Sequence, residues 1–262
     1  MRYPGRGTPP EDPFEHCMNG ESTITDKARE CDVVSPPERR NETLDRKAIE
    51  NCWPLAREGV PLVLGGCLLT AVCAYTRMPW LALVIGLLTA FTALFFRDPD
   101  RRSDAPSHAV LTPADGRVIR VRHLSEQESP LNGPATQISI FMSIFNVHVN
   151  RIPTSGVIEA VRHRRGKFFS AHLDRASIQN EQNALTLRTA DDKEIVFVQV
   201  AGLIARRIAC WVRQGDSVIR GQRFGLIRFG SRLDVYLPAE YRVTARPGQK
   251  VKAGISVVGY LS

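Results

Sequence analysis

The stretch that decides the fold is Gly225-Leu-Ile-Arg-Phe-Gly-Ser-Arg-Leu-Asp-Val-Tyr-Leu-Pro238. Its second half, Leu233 to Leu237, alternates apolar and polar side chains, which is typical of a β-strand with one buried face. Apolar residues lie on both sides of the Gly230-Ser231 pair, so there is little reason for a mobile loop at this point. We therefore predict a β-rich body in which this pair lies between ordered apolar segments.

Outward from this stretch, short β-rich segments broken by Gly and Pro fill the chain from about residue 108. Val, Ile and Phe are enriched in them, as in Gly116–Arg122, Gln137–Met142 and Glu194–Val200. The stretch Leu203–Val212 fits either a short helix or a strand. We predict a mainly β fold, with a flattened β-barrel or antiparallel sandwich as the body and few helices.

A weak internal repeat supports this architecture. Pro113-Ala-Asp-Gly116 and Pro153-Thr-Ser-Gly156 both precede a Val-Ile pair, and Gly215–Gly221 resembles Gly248–Gly254. Such units are typical of turn-plus-strand elements, as in the flattened barrels of biotinyl and lipoyl carrier domains. This similarity concerns the fold alone and carries no function by itself.

Two apolar runs, Val60–Thr76 and Trp80–Phe96, precede the β-rich body and are separated by Arg77-Met78-Pro79. Each run is near the lower limit of about 17 residues for a helix that crosses a bilayer. Positive residues flank both ends, which predicts that both ends lie in the cytosol. We predict a disordered polar tail at 1–52, a two-helix membrane hairpin at 53–100 and a β-rich domain at 101–262. A monotopic or re-entrant hairpin, and a hairpin buried in a soluble core, are the alternatives.

Charge and cysteine content narrow the class of partner. The formal net charge of +8 arises beyond the slightly acidic first 50 residues, which suggests an anionic partner for the body. The apolar runs favour a membrane over nucleic acid, and no nucleic-acid-binding motif is apparent. The six cysteines form no C-x-x-C pair, so we predict no metal site and no disulfide framework.

The Gly230-Ser231 pair can support self-cleavage of the chain. The Ser231 hydroxyl could attack the Gly230 carbonyl and replace the peptide bond by an ester, since Gly230 tolerates backbone angles that strain other residues. Elimination from the ester and loss of ammonia would leave a pyruvoyl group at the new N-terminus. The reaction needs a base near Ser231 and a donor that stabilises the oxyanion.

The segment Trp211–Pro238 closely resembles the phosphatidylserine decarboxylase proenzymes, in particular their short, archaeal-type branch with Phe-Gly-Ser at 229–231. The resemblance covers roughly residues 53–262. It includes four further motifs: Phe96-Arg-Asp-Pro99, Leu111-Thr-Pro-Ala-Asp-Gly116, Phe141-Met-Ser-Ile-Phe-Asn-Val-His148 and Asn180-Glu-Gln-Asn183.

The resemblance implies cleavage between Gly230 and Ser231 into a β chain, 1–230, and a small α chain, 231–262, which form a heterodimer. Ser231 would become a covalent pyruvoyl group, the pyruvate cofactor, which condenses with the substrate amine and accepts the electrons released with carbon dioxide. The substrate would be phosphatidylserine and the product phosphatidylethanolamine. The enzyme would lie at the cell membrane with its catalytic domain on the cytoplasmic face, and it would not bind nucleic acid.

The resemblance also implies catalytic roles for Asp115 and His148 beside Ser231 and Gly230. Asp115 lies in the P-x-D-G motif that supplies an acidic active-site residue in the longer enzymes; the alternative is a turn-forming aspartate. His148 would act as the base for self-cleavage or as the proton donor to the decarboxylated carbon; the alternative is a structural histidine. The longer enzymes have a second histidine three positions on, where this chain has Arg151, so the chain departs from a simple Asp-His-Ser triad.

Three more residues, Asn180, Glu181 and Asn183, match a family motif, and we expect them to contact the substrate. The basic stretch Arg162–Lys167, with His163 in it and His172 nearby, is expected to be a solvated or lipid-facing surface.

Two other functions remain as alternatives. A membrane-anchored biotinyl-like or lipoyl-like carrier would need a modifiable lysine in an exposed turn, but the corresponding region holds Phe229-Gly-Ser231. A decarboxylase of the ether lipid archaetidylserine would share every motif, because the sequence does not distinguish ester from ether tails.

Overall fold

A computed structural model describes residues 46, 48–51, 53–166, 179–202, 208–228 and 230–261. The predicted polar tail lies almost wholly outside the described residues, and so do His172 and Phe229. The ambiguous stretch 203–212 is described only from residue 208, where it forms the strand Ile208–Cys210.

The two apolar runs form a helical hairpin, as the sequence predicts. Helix α1 spans Val60–Tyr75 and helix α2 spans Pro79–Phe95, with a proline in the first turn of each. The helices approach closely at Gly66, where a Cβ atom would lie 2.3 Å from the Thr89 hydroxyl oxygen. In the described part of the chain, no helix has both the length and the apolar character needed to cross a membrane.

The rest of the described chain is mainly β, which confirms the predicted fold class. A short 3₁₀ helix at Glu126–Glu128 interrupts the strands. The strands are β1 Ala109–Leu111, β2 Gly116–Leu124, β3 Ala135–Met142, β4 Val149–Arg151, β5 Gly156–Arg164, β6 Gln182–Arg188, β7 Glu194–Val200, β8 Ile208–Cys210, β9 Ser217–Val218, β10 Arg223–Ile227, β11 Ser231–Pro238, β12 Tyr241–Val243, β13 Lys250–Val251 and β14 Val257–Leu261.

An eight-stranded antiparallel sheet forms the body, in the order β13-β2-β3-β11-β7-β6-β5-β9. Two three-stranded sheets, β1-β14-β12 and β4-β10-β8, complete the fold. Strand β11 is central, because it pairs with β3 on one side and with β7 on the other. The second half of the stretch Gly225–Pro238, from Ser231 onward, therefore lies in the middle of the main sheet.

The weak internal repeat corresponds to two equivalent halves of the main sheet. Strands β2 and β5 both start at the repeated glycines, and Gly116 pairs with Val251 as Gly156 pairs with Val218. Both strands are irregular at the same place, between Val118 and Arg120 and between Ile158 and Ala160. The sequence repeat thus marks a real structural repeat.

The inner face of the main sheet covers the largest apolar core, to which β11 contributes Leu233, Val235 and Leu237, all fully buried. A second apolar cluster attaches the base of the hairpin to the body. It joins Phe95 and Phe96 at the end of α2 to Trp211 and Leu226. The hairpin therefore has a fixed base on the β-rich body.

Candidate active site

The Gly230-Ser231 junction lies between the end of β10 and the start of β11. Gly230 has a φ of +58°, in the left-handed region that favours glycine. Ser231 is fully buried, and within the described part of the chain its hydroxyl oxygen has no hydrogen-bond partner. Buried polar atoms are rarely left unpaired in folded proteins, and at Ser231 the unpaired hydroxyl directly follows a glycine in the left-handed conformation.

Ser231 lies at the polar end of an otherwise apolar sheet face. Alternate residues of a strand share a face, so Ser231 points to the same side as Leu233 and Val235. Leu233 is opposite Gln199 on β7, which is in turn opposite Asn183 on β6. The inner face therefore changes from aliphatic to polar toward the Ser231 end.

A chain of buried side-chain amides runs across this polar end. The Asn183 amide donates to Gln199 Oε1 at 3.0 Å, and the Gln199 amide donates to Asn150 Oδ1 at 2.8 Å. The Asn150 amide in turn lies 3.7 Å from the Met142 sulfur, and Met142 is the β3 residue directly opposite Ser231. The amide chain thus extends from β6 to the immediate neighbour of Ser231.

Gln199 and Asn150 were not among the residues predicted from the sequence. A signal for Gln199 was present, because Ile195 and Phe197 are fully buried and the period of two places Gln199 on the same inner face. A polar residue at such a position must find a buried partner. Asn150 can be recognised as a buried polar residue by the same alternation only when β4 is known to be a strand.

His148 is fully buried and lies against Phe95, with ring centroids 4.1 Å apart. Neither ring nitrogen has a hydrogen-bond partner of normal geometry among the described residues. Burial, helped by the positive charge of Arg97, lowers the pKa of His148 to about 4 against the opposing effects of the Asn146 backbone and Asp115. The ring is therefore neutral at pH 7.

His148 is near the junction through its strand neighbours. Its carbonyl accepts a long hydrogen bond from the backbone of Ile227, the last residue of β10 before the Gly230-Ser231 turn. Two residues further on, Asn150 reaches the Met142 side chain. The segment that carries His148 thus packs against β10, which precedes Ser231 in the chain, and contacts Met142 of β3, which lies opposite Ser231.

Asp115 is buried and its carboxylate is fully engaged. It forms a two-point ion pair with Arg101, and its Oδ1 accepts the backbone N–H of Ala253 at 2.7 Å. The structure therefore does not bring Asp115 into hydrogen-bonding contact with Ser231, although its charge acts on His148. A catalytic role for Asp115 stays a prediction.

Arg151, which stands where a second histidine was expected, is part of a buried ion cluster. It donates to the carbonyls of Pro99 at 2.9 Å and Gly221 at 3.0 Å and pairs with Asp98 at 3.4 Å. Asp98 also accepts a hydrogen bond from the Nε–H group of Arg223 at 2.7 Å. Arg151 thus connects β4 to the segment that leaves the hairpin.

The three residues expected to contact the substrate have different surroundings. Only Asn183 belongs to the amide chain. The Asn180 amide donates to the Ala201 carbonyl at 2.7 Å, and Glu181 pairs with His163 on β5 at 3.5 Å. Glu181 therefore contacts the basic stretch of β5, where His163 lies opposite Asn183.

Comparison with known proteins agrees with these motifs. The sequence model of the phosphatidylserine decarboxylase family matches residues 88–259. A phosphatidylserine decarboxylase proenzyme of Syntrophus aciditrophicus is 48% identical over 206 residues, covering 78% of this chain and 96% of the relative. Proteins of the same name from Geobacter metallireducens and Cupriavidus pinatubonensis are 47% and 46% identical, each covering 79% of this chain and 97% and 95% of the relatives.

Proposed function

Because this chain belongs to the phosphatidylserine decarboxylase family, we propose that it converts phosphatidylserine to phosphatidylethanolamine and carbon dioxide after cleaving itself between Gly230 and Ser231. One observation carries the proposal most strongly. The Ser231 hydroxyl is buried, has no hydrogen-bond partner among the described residues, and directly follows a glycine in the left-handed conformation.

Self-cleavage starts with the Ser231 hydroxyl. Its oxygen adds to the Gly230 carbonyl carbon, its proton passes to a base, and breakage of the C–N bond leaves an ester and a free amine on residue 231. Removal of the Ser231 α-proton then expels the Gly230 carboxylate from Cβ. Hydrolysis of the remaining enamine, after tautomerisation, releases ammonia and leaves a ketone at position 231.

The surroundings of Ser231 fit the prosthetic group that this reaction makes. The residue starts a central strand, so the new N-terminus stays fixed between β3 and β7. When formed, the pyruvoyl group supplies an electrophilic carbonyl that takes up the electron pair left by departing carbon dioxide.

His148 is the base that we assign to the first step. Because its pKa lies near 4, the ring is neutral over the physiological range and has a free lone pair. The amide chain from Asn183 to Asn150 fixes the strands around Ser231, since each amide is held by its neighbour. We expect Asn183 to contact the serine headgroup, and Asn180 and Glu181 to shape that end of the sheet.

The two chains remain together after cleavage. The α chain, 231–262, contains β11 to β14, of which β11 is central in the main sheet and β14 pairs with β1 of the β chain. These ladders and the shared core do not depend on the peptide bond at 230–231. A stable heterodimer of chains 1–230 and 231–262 follows.

We also propose that the hairpin holds the enzyme on the membrane, with the catalytic body on the cytoplasmic face. Its apolar side chains are widely exposed, for example Leu68 at 68%, Tyr75 at 90% and Trp80 at 80%. Exposed apolar surface of this extent is rare in soluble monomers and indicates contact with lipid. The hairpin base, fixed by Phe95 and Phe96, keeps the body next to the lipid headgroups.

The test is an activity and mass measurement on the Ser231→Ala variant, with Ser139→Ala as the matched control. Ser139 is also fully buried, and its hydroxyl has no partner within the part of the chain that the structure describes, but it lies on β3. Ser231→Ala should remain one chain and release no carbon dioxide from phosphatidylserine, whereas Ser139→Ala should be cleaved and active. Cleaved, active Ser231→Ala would refute the proposal. Assays with diester and diether serine lipids would show whether the tails matter.

A further inference from the structure

A second polar feature, separate from the candidate active site, is a cleft of about 1010 Å³ beside the base of the hairpin. Its walls come from the segment before α1, the segment after α2 and the turns around β9. None of Ser231, Gly230, His148 and Asp115 lines it.

The cleft is rich in arginine. Seven arginines line it, against the three carboxylates of Glu50, Asp100 and Asp216. Behind the wall, Asp115 holds Arg101, and Asp98 holds Arg151 and Arg223. Glu58, which accepts a hydrogen bond from the lining Trp211, is a sixth carboxylate, and among the described residues the seven arginines still outnumber these six by one.

Arg220 is fixed in this cleft without any carboxylate among its described partners. Its guanidinium donates to the carbonyls of Pro106, Ala105 and Ala109. Carbonyl oxygens hold a guanidinium in place but leave its charge uncompensated. Positive charges also lie close together nearby. Burial, followed by the charge of Arg223, lowers the pKa of Arg151 to about 10. A bound anion would relieve this repulsion.

We propose that this cleft binds a phosphate ester, either the headgroup of an acidic phospholipid or a soluble phosphate ester. Guanidinium groups match phosphate oxygens in charge and in two-point geometry. The lipid source is favoured by location. Arg46 and Arg102 line the cleft just before and just after the hairpin, whose base is closed by pairing of Leu55 with Arg97. The site goes beyond the proposed decarboxylation, since it lies outside the Ser231 region and its ligand need not be a serine lipid.

The internal repeat supplies a matched control position. Arg213 in the cleft starts a turn in which the N–H of Gly215 donates to the Ile158 carbonyl at 2.7 Å. In the other half of the sheet Arg246 starts the equivalent turn, where the N–H of Gly248 donates to the Val118 carbonyl at 2.7 Å. Arg246 does not line the cleft.

The experiment measures binding of the full chain to phosphatidylcholine vesicles with and without phosphatidylglycerol, which is acidic but carries no serine. The cleft variant is Arg102→Gln/Arg213→Gln and the control is Arg242→Gln/Arg246→Gln. Two arginines near an anionic surface correspond to about a thirtyfold change in binding. We expect that loss for the cleft variant on acidic vesicles only, and a much smaller loss for the control.

A second experiment, with a soluble phosphate ester, distinguishes the two sources of phosphate. If glycerol phosphate raises the melting temperature of the wild type and the control but not of the cleft variant, and vesicle binding is unchanged, the ligand is a soluble phosphate ester. Equal vesicle binding losses for both double variants with no cleft-dependent shift in melting temperature would overturn the proposal. Circular dichroism of both variants checks folding, and none of these measurements requires decarboxylase activity.

Discussion

Replacing His148 by Gln should reduce the loss of folding stability that occurs as the pH falls below 6.5. In the folded chain the pKa of His148 is about 4, whereas an exposed histidine has its ordinary value of 6.5. Between these values the unfolded chain binds a proton that the folded chain does not. Stability therefore rises with pH across this window and is lost as the pH falls from 6.5 toward 4. At about 1.4 kcal/mol per pH unit, His148 accounts for a loss of about 3 kcal/mol over the window.

The assay is urea unfolding at pH 7 and pH 4.5 in a Ser231→Ala background, so that a single uncleaved chain unfolds. Most of the loss of about 3 kcal/mol should appear in the chain with His148 and be absent from His148→Gln. All other titrating groups are shared, so the difference between the two slopes isolates this ring. Parallel acid slopes would show that His148 is not held neutral by burial and would refute its assignment as the neutral base.

Three further predictions follow from the same region, each measured by unfolding in the Ser231→Ala background. Gly230→Ala should destabilise the fold by about 1–2 kcal/mol through its left-handed φ alone, because among the described residues nothing beyond the chain neighbours lies within 4 Å of the added Cβ; an unchanged midpoint would contradict that backbone conformation. Gln199→Leu should lower stability by about 1–3 kcal/mol, since it leaves two buried amides without their partner, and no loss would argue against the amide chain. Asp234→Ala should lower stability by about 3–5 kcal/mol because the buried Arg232 loses the carboxylate with which it pairs, whereas adding Arg232→Met should restore much of it; equal losses would show that charge pairing is not the cause.

The architecture was predictable where one local pattern decides the structure. The apolar runs and the Arg77-Met78-Pro79 break predicted the hairpin, and the alternation in Leu233–Leu237 predicted the central strand. The repeated turn motifs at Gly116 and Gly156 even marked the two halves of the sheet. These features depend on neighbours within a few residues, which a sequence displays directly.

The strand order was not predictable in the same way. Strand β11 pairs with β3 and β7, which lie far from it in the sequence, so its position is set by long-range packing. The stretch 203–212 shows the same limit. Its described part forms β8 because it pairs with β10, and no local preference required a strand there.

For the site, the Gly230-Ser231 signal was local and specific, whereas the surroundings of the pair were not. The amide chain joins Asn183, Gln199 and Asn150 from three strands, and only the folded sheet brings them together. For Arg151, the sequence indicated only part of the role. Its position in a family motif indicated a departure from catalysis by two histidines, but its pairing with Asp98 could be seen only in the structure.

The most direct test of the central claim is the intact mass of the purified full-length protein. We predict two chains, with the smaller matching residues 231–262 and lighter by one ammonia than the same peptide with an N-terminal serine. Cleavage at Ser231 with retention of that serine would contradict formation of the pyruvoyl group. A single intact chain in material that releases carbon dioxide from phosphatidylserine would contradict the whole account.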